Sequence, residues 1–197
     1  MTTSHHPVQL HIERAPSISR MHVIIRLALL LALGAVGCSS VYWALYLALP
    51  ALVAASLLQE GGERYLAADG PRIVRTLRWL AAGYAYLWLL TDVLPTSEGG
   101  PVDLHIEPGG APTPQSALLR LLSSVPALFL VAVLSVASGV LWVVAAVCIL
   151  VTEHMPLAIA EFLSLTLRVQ FRLIAYHASL VDRYPSLEDS TVVPAAT

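Results

Sequence analysis

The chain has 197 residues, of which 57% are hydrophobic and only 12% are charged. An ordinary soluble domain has about 45–50% apolar and about 25% charged residues, so this composition indicates a membrane protein. The formal net charge of -2 gives no basic footprint for nucleic acid, which we do not expect as a partner. Cys38 and Cys148 both lie in apolar runs, which argues against a disulfide framework or a zinc site.

Two short segments of the chain are nearly identical. The sequence PVQLHIE at residues 7–13 recurs as PVDLHIE at residues 101–107, with six of seven residues the same. Apolar and polar residues alternate in both copies, which is typical of a half-buried strand. We therefore predict strands at residues 8–13 and 102–107. Because the unpaired edges of a lone strand cannot lie in lipid, we expect the two strands to pair with each other outside the bilayer.

A long apolar run follows each strand. Residues 27–59 and 121–152 contain no charged side chain, whereas about 20 apolar residues in a helix suffice to cross a bilayer. Each run is either one tilted or kinked helix, with Pro50 and Pro126 as the kinks, or a tight pair of short spans. The best sign of a pair is Gly37-Cys38-Ser39-Ser40. We favour single helices, because no strong turn sequence interrupts either run.

A second pair of related segments follows the apolar runs. Residues 76–98 and 166–188 share nine identities in 23 aligned positions. With the strands, they indicate duplication of a unit of about 90 residues. The predicted fold is a mainly α membrane protein with a tandem parallel repeat, in which each unit has a short strand and two long membrane helices. The result would be a four-helix bundle with a small two-stranded extramembrane ladder.

These patterns also predict the boundaries of the units. Pro71 and Pro156 would lie in the first turns of helices, where proline is tolerated. Arginines are divided almost evenly between the two ends of the bundle, which leaves its orientation open. The predicted units are a disordered tail at 1–6, repeat one at 7–98, a junction at 99–100, repeat two at 101–188 and a second disordered tail at 189–197. The predicted helices cover about 21–58, 71–91, 116–151 and 156–181.

The order of these elements resembles that of a known family. A Pro-Val-x-Leu strand, a long apolar helix and an Arg-bearing helix ending in Ala-Tyr, Leu, Asp and Tyr-Pro resemble the bacterial integral membrane family catalogued as domain of unknown function 4389. The second copy fits better, through Thr166-Leu167-Arg168, Arg172, Ala175-Tyr176 and Asp182-Arg183-Tyr184-Pro185. In the first copy Ala82 replaces the second arginine, and Asp92-Val93-Leu94-Pro95 lacks the tyrosine. The resemblance spans residues 7–188 as tandem copies and implies no activity, because the family has none assigned.

The fourth predicted helix carries a polar stripe. Its members follow spacings of 3, 4, 4, 7 and 3 and so share one helix face: Glu161, Ser164, Arg168, Arg172, Ser179 and Asp182. Two mid-helix arginines are costly in lipid, so the stripe must face protein, water or headgroups. It is either the lining of a path for an ion, proton or lipid headgroup, or part of an interfacial or bundle helix.

The two arginines of this stripe are like charges one helical turn apart. We therefore expect a lipid phosphate, another anion or a carboxylate between Arg168 and Arg172, with Asp69 and Glu153 as the protein candidates. For the same reason we expect Arg172 to matter more to the protein than Arg78.

Other residues recur at equivalent positions in the two copies. Arg78 and Asp92 correspond to Arg168 and Asp182, and about 21 Å of helix separates the members of each pair. We interpret them as anchors at the two headgroup levels. The polar faces of the strands carry weak candidates for a metal site or pH sensor: His11, Glu13, His105 and Glu107. We expect no metal and no cofactor.

Catalytic sequence motifs are absent: the chain has no Gly-x-Ser-x-Gly, phosphate-binding glycine loop, His-Glu-x-x-His or Cys-x-x-Cys. We expect a non-enzymatic scaffold or accessory subunit of a membrane complex, whose partners are the lipid bilayer, anionic lipid headgroups and another protein or a second copy. The alternative is a small oligomeric transport or permeation protein that uses the polar stripe. All 11 basic residues are arginine, as in a GC-rich genome, so we expect a multi-pass protein of the bacterial cytoplasmic membrane.

Overall fold

A computed structural model describes residues 6–13, 15, 17–35, 38–94 and 100–184, together with their side chains except those of residues 33–35 and 38–47. In chain order, the elements are β1 (Val8–Ile12), α1 (Arg20–Ala35), α2 (Cys38–Glu60), α3 (Gly62–Ala68), α4 (Gly70–Leu87), β2 (Val102–Ile106), α5 (Pro114–Ser123), α6 (Val125–Thr152) and α7 (Leu157–His177). The predicted tails lie outside the described residues, apart from His6.

The prediction of a four-helix membrane bundle with tandem repeats is wrong. The described part of the chain contains seven helices. They include the short α3 (Gly62–Ala68), which was not predicted, and two helices in place of one over each long apolar run. In the first run, α1 ends at Ala35 and α2 begins at Cys38, and the two residues between them lie outside the described part of the chain. The second breaks at Ser124, two residues before a proline that has no N–H to continue a helix. Pro50, by contrast, lies inside α2.

The predicted multi-pass topology is also not supported. Within the described ranges, α6 alone is long and apolar enough to cross a membrane. A helix of 28 residues is about 42 Å long, which exceeds a hydrocarbon core of about 30 Å. The structure therefore offers one candidate span in place of four.

The predicted pairing of the two strands is confirmed. The strands are antiparallel, with Leu10 opposite Leu104 at the centre and Gln9 opposite His105. Two backbone hydrogen bonds close the ends of the ladder, from Glu13 N to the Pro101 carbonyl at 2.7 Å and from Glu107 N to the Pro7 carbonyl at 2.9 Å. Alternate side chains of both strands are buried, as the period of two requires.

Two helices form the layer beneath this ladder. The buried strand residues pack with Leu77 and Ala81 of α4 and with Leu167 and Phe171 of α7 in one apolar cluster. On another side, α7 packs against α6, where Val169 and Leu173 meet Ala127 and Val131. The α7 helix is therefore enclosed by the ladder, α4 and α6, which explains why twelve of its residues are buried.

The same turn ends α4 and α7. Leu89 and Ser179 have left-handed φ angles of 64° and 53°. The next residues, Leu90 and Leu180, donate backbone hydrogen bonds to Ala85 and Ala175 at 3.0 and 3.1 Å, which is the pattern of a Schellman cap. Both helices therefore end four residues before the predicted ends at 91 and 181. Neither turn contains a glycine, so the sequence does not indicate where these two helices end.

Candidate functional site at the strand edges and helix exits

The arginines of the polar stripe lie along the outer edge of β1. The even-numbered residues of this strand point their carbonyl groups away from β2, because the odd-numbered residues make the cross-strand bonds. Arg168 Nε donates a hydrogen bond of 3.3 Å to the Leu10 carbonyl. Arg172 Nε donates one of the same length to the Val8 carbonyl. The two guanidinium groups therefore pair two of the outward carbonyls of this strand.

Helix α4 pairs one outward carbonyl of β2 in the same manner. Arg78 Nε donates a hydrogen bond of 2.9 Å to the Leu104 carbonyl. Arg78 and Arg168 thus contact the central leucine of opposite strands. A two-stranded sheet has two outer edges, and each is a row of backbone groups without a strand partner. The arginines pair some of these groups.

The structure divides the remaining stripe residues among different surroundings. Ser164 is buried and donates to the Ala160 carbonyl of its own helix at 2.7 Å. Glu161 is exposed. Ser179 and Asp182 lie beyond the end of α7 at His177, so they leave the helix face that the spacing predicted. The six residues therefore do not form one continuous lining.

The protein carboxylates expected beside Arg168 and Arg172 bind other arginines. Asp69 pairs with Arg72 at 3.7 Å, and Glu153 pairs with Arg20 at 3.2 Å. Each of the two stripe arginines donates to a carbonyl of one strand edge, and the expected anion between them stays a prediction.

Loss of Arg172 should cost more stability than loss of Arg78. We expect Arg172→Leu to lower the free energy of unfolding by about 1–3 kcal/mol, because the Val8 carbonyl then loses its donor inside the protein. Arg78→Leu should cost less, since its hydrogen bond is only partly buried and water can replace the guanidinium. Denaturant titration in a mild detergent measures both, with exposed Arg64→Leu as the control. Equal losses in the two variants would contradict this order.

Two ion pairs, each with a buried arginine, join α1 and α5 to the residues that follow α4 and α7. Arg26 of α1 bonds to Asp92 at 2.8 Å and lies over the Tyr86 ring, 4.2 Å from its centroid. Arg120 of α5 bonds to Asp182 and lies over the Tyr176 ring at 4.7 Å. The arginine side chains are 0% and 6% exposed. The positive charges that bound the apolar runs are therefore inside the protein.

Further hydrogen bonds fix these pairs in place. Arg120 Nη1 donates to the carbonyls of Tyr176 and Val181 at 2.8 and 2.6 Å. Asp92 also accepts from the Ser19 backbone N–H at 3.0 Å. Gly110 has a φ of 96°, and a Cβ atom there would lie 1.8 Å from the Asp182 carboxylate, so only glycine allows this approach.

Sequence reasoning missed Arg26 and Arg120, and it placed Asp92 and Asp182 at headgroup levels instead of beside them. A signal was present: Arg26 and Arg120 are separated by 94 residues, the same offset as the two strands. Each is the last charge before an apolar run, a position that ordinarily indicates a membrane boundary.

A buried histidine adjoins the second ion pair. His177, at the end of α7, is 0% exposed. Burial, followed by the nearby positive charge of Arg120, lowers the pKa of His177 to about 4. This imidazole is therefore neutral at pH 7.

The strand histidines and glutamates do not assemble into a metal centre. His11 lies opposite Asp103, and His105 lies 3.4 Å from Glu107 on its own strand, with both side chains more than half exposed. Over the residues that the structure describes, no group of three or more His, Cys, Asp or Glu side chains could hold a metal ion. His11, Glu13, His105 and Glu107 instead belong to the polar side of the ladder.

Comparison with known proteins gives one match. Neither the curated proteins nor the solved structures contain a match to the chain. The family match that we expected over both predicted copies is found over the second, a segment that contains α5, α6, α7 and the Arg120–Asp182 pair. Over residues 114–187, the chain matches the family described as Domain of unknown function (DUF4389).

Proposed function

We propose that this protein is a non-enzymatic membrane protein, anchored by α6, that serves as a scaffold or accessory subunit of a membrane complex. The observation that carries the proposal is the exposure of α6. Only 22% of the most apolar 18-residue stretch of this helix is buried within the protein. The core helix of a soluble protein would be mostly buried, and a signal sequence would lie near the N-terminus.

The outward side chains of α6 are large and apolar along its length. Val133, Val136, Val140 and Val147 are all more than half exposed. An apolar surface of this extent is stable in contact with lipid or with another protein, and it is unstable in water. Membrane insertion of α6 satisfies that requirement.

Exposed apolar residues continue beyond α6, which supports a protein-binding role. Helix α1 packs against α6 through Val23, Ala145 and Ile149 and exposes Met21, Ile24 and Leu31. Helix α5 exposes Leu119 and Leu122. A single helix that spans the membrane does not need apolar surface on its neighbours α1 and α5. A surface that binds a helix of another protein does need it.

The contacts of four arginines favour a structural role over catalysis. Arg168 and Arg172 bind strand carbonyls, and Arg26 and Arg120 bind carboxylates at helix exits. The same contacts give less support to the alternative of a transport protein, because permeation would require the stripe arginines to line a path.

An arginine in the middle of the exposed α6 face tests the anchor. We expect Val140→Arg to reduce the fraction of protein that stays in membranes after an alkaline carbonate wash, because a central arginine costs about 2.5–3.5 kcal/mol on insertion. Gln115→Arg adds the same charge at an exposed position outside α6 and should not change retention. If the two variants remain equally bound to membranes, α6 is not the anchor.

Purification in mild detergent tests the scaffold role. We expect the protein to elute with a stoichiometric partner or as a defined self-associated species. A bare monomer under conditions that keep the fold intact would contradict it.

A further inference from the structure

A groove of about 1080 Å³ lies between the outer face of α4 and strand β2. Its apolar wall includes Val74, Ala82 and Val102, and its charged residues are Arg75, Arg78 and Asp103. Trp79 lines the same groove and is 60% exposed. The groove thus combines an apolar wall with an excess of positive charge.

The two arginines have unused hydrogen-bonding capacity. Arg75 is exposed and makes no hydrogen bond or ion pair with any described residue. Arg78 is held by one bond, from Nε to the Leu104 carbonyl, so its two Nη groups lack acceptors among the described residues. They are like charges three residues apart on one helix face, an arrangement that an anion between them stabilises. Asp103, the acid in the groove lining, pairs with neither.

The face of α7 that corresponds in sequence to the groove face of α4 is covered by α6. At an offset of 90 residues, Arg75 and Trp79 correspond to Leu165 and Val169, which pack against α6. Among the described residues, no helix covers the same face of α4, which carries an arginine and a tryptophan in place of the aliphatic residues. The substitution changes a surface suited to a helix into one suited to a charged, amphiphilic occupant.

We propose that this groove binds an anionic phospholipid, with the phosphate held between Arg75 and Arg78 and an acyl chain along the apolar wall. Guanidinium groups bind phosphate oxygens in pairs of parallel hydrogen bonds. Tryptophan is the residue favoured at the headgroup level of a membrane. The volume suits a headgroup and the first part of an acyl chain. The inference rests on the proposed membrane location and adds a lipid class to it.

Native mass spectrometry of the purified full chain tests the site. The protein in mild detergent is titrated with phosphatidylglycerol or with phosphatidylcholine, and bound lipids are counted. We expect phosphatidylglycerol to bind about tenfold or more tightly, because both lipids carry the phosphate but the choline ammonium of phosphatidylcholine adds a positive charge beside the two arginines. Arg75→Gln should remove this preference. Arg64→Gln, which loses the same charge at an exposed position outside the groove, should keep it.

Several results would overturn the proposal. These are equal binding of the two lipids, unchanged selectivity in Arg75→Gln, or displacement of phosphatidylglycerol by millimolar inorganic phosphate, which would indicate a site for soluble anions. Cross-linking of Trp79→Cys to a second copy that phosphatidylglycerol does not compete with would assign the groove to self-association. If the parent protein shows no lipid selectivity but stays in the membrane, this inference alone is contradicted, whereas failure of the α6 test would contradict the proposed function.

Discussion

Replacement of Asp92 by asparagine is expected to lower the free energy of unfolding by about 3–5 kcal/mol. The variant leaves Arg26 charged inside the protein, where its side chain is 0% exposed. Arg26 Nε and Nη1 have no acceptor among the described residues, so Asp92 and the Thr91 carbonyl carry most of the compensation. Asparagine also has only one acceptor oxygen for the two donors that Asp92 binds, Arg26 Nη2 and the Ser19 backbone N–H.

Asp182→Asn is the matched control for this prediction. It should cost about 1 kcal/mol or less, because Asp182 is 55% exposed whereas Asp92 is 24% exposed, and solvent screens the lost charge. Arg120 also keeps two carbonyl acceptors, those of Tyr176 and Val181. Denaturant titration in mild detergent, followed by tryptophan fluorescence, measures both variants. A larger loss for Asp182→Asn would show that burial of the carboxylate does not set the cost.

The ladder was predictable because its evidence is local and repeated. Alternation of apolar and polar residues identifies a half-buried strand, and two near-identical strands with open edges have an obvious partner in each other. The number of helices was not predictable on the same grounds. The break at Ser124 depends on a serine that bonds to the Leu121 carbonyl and on the proline that follows, and neither residue alone excludes a continuous helix.

The candidate site was predicted in part. Helical spacing correctly placed Arg168 and Arg172 on one face of α7, because they bind successive outward carbonyls of one strand. Helical spacing does not show which groups lie opposite a helix face. The strand carbonyls were therefore not predicted as acceptors for these two arginines. Arg26 and Arg120 were missed for a related reason: their carboxylate partners lie 66 and 62 residues away, beyond any local pattern.

Stability is expected to fall as the pH decreases from about 6.5 to about 4, because of His177. Its pKa in the folded protein is about 4, lowered from the ordinary value of 6.5 by burial and by the charge of Arg120. Between these two values the unfolded chain binds a proton that the folded protein does not bind, so acid favours unfolding. The stabilisation is complete above about pH 6.5 and is lost as the pH falls towards 4. A shift of this size corresponds to about 3 kcal/mol.

The variant His177→Gln separates this contribution from the titration of the carboxylates. Glutamine at position 177 cannot bind the proton, and every other titrating group is retained. The unfolding free energy of the variant should therefore depend less steeply on pH between 4 and 6.5 than that of the parent protein. The slope is the decisive quantity, because the substitution can shift the absolute stability of a fully buried site in either direction. Denaturant titrations of both proteins at pH 4.5, 5.5 and 7.5 provide it. Parallel pH profiles would mean that His177 is protonated in the folded protein or that its burial does not perturb it.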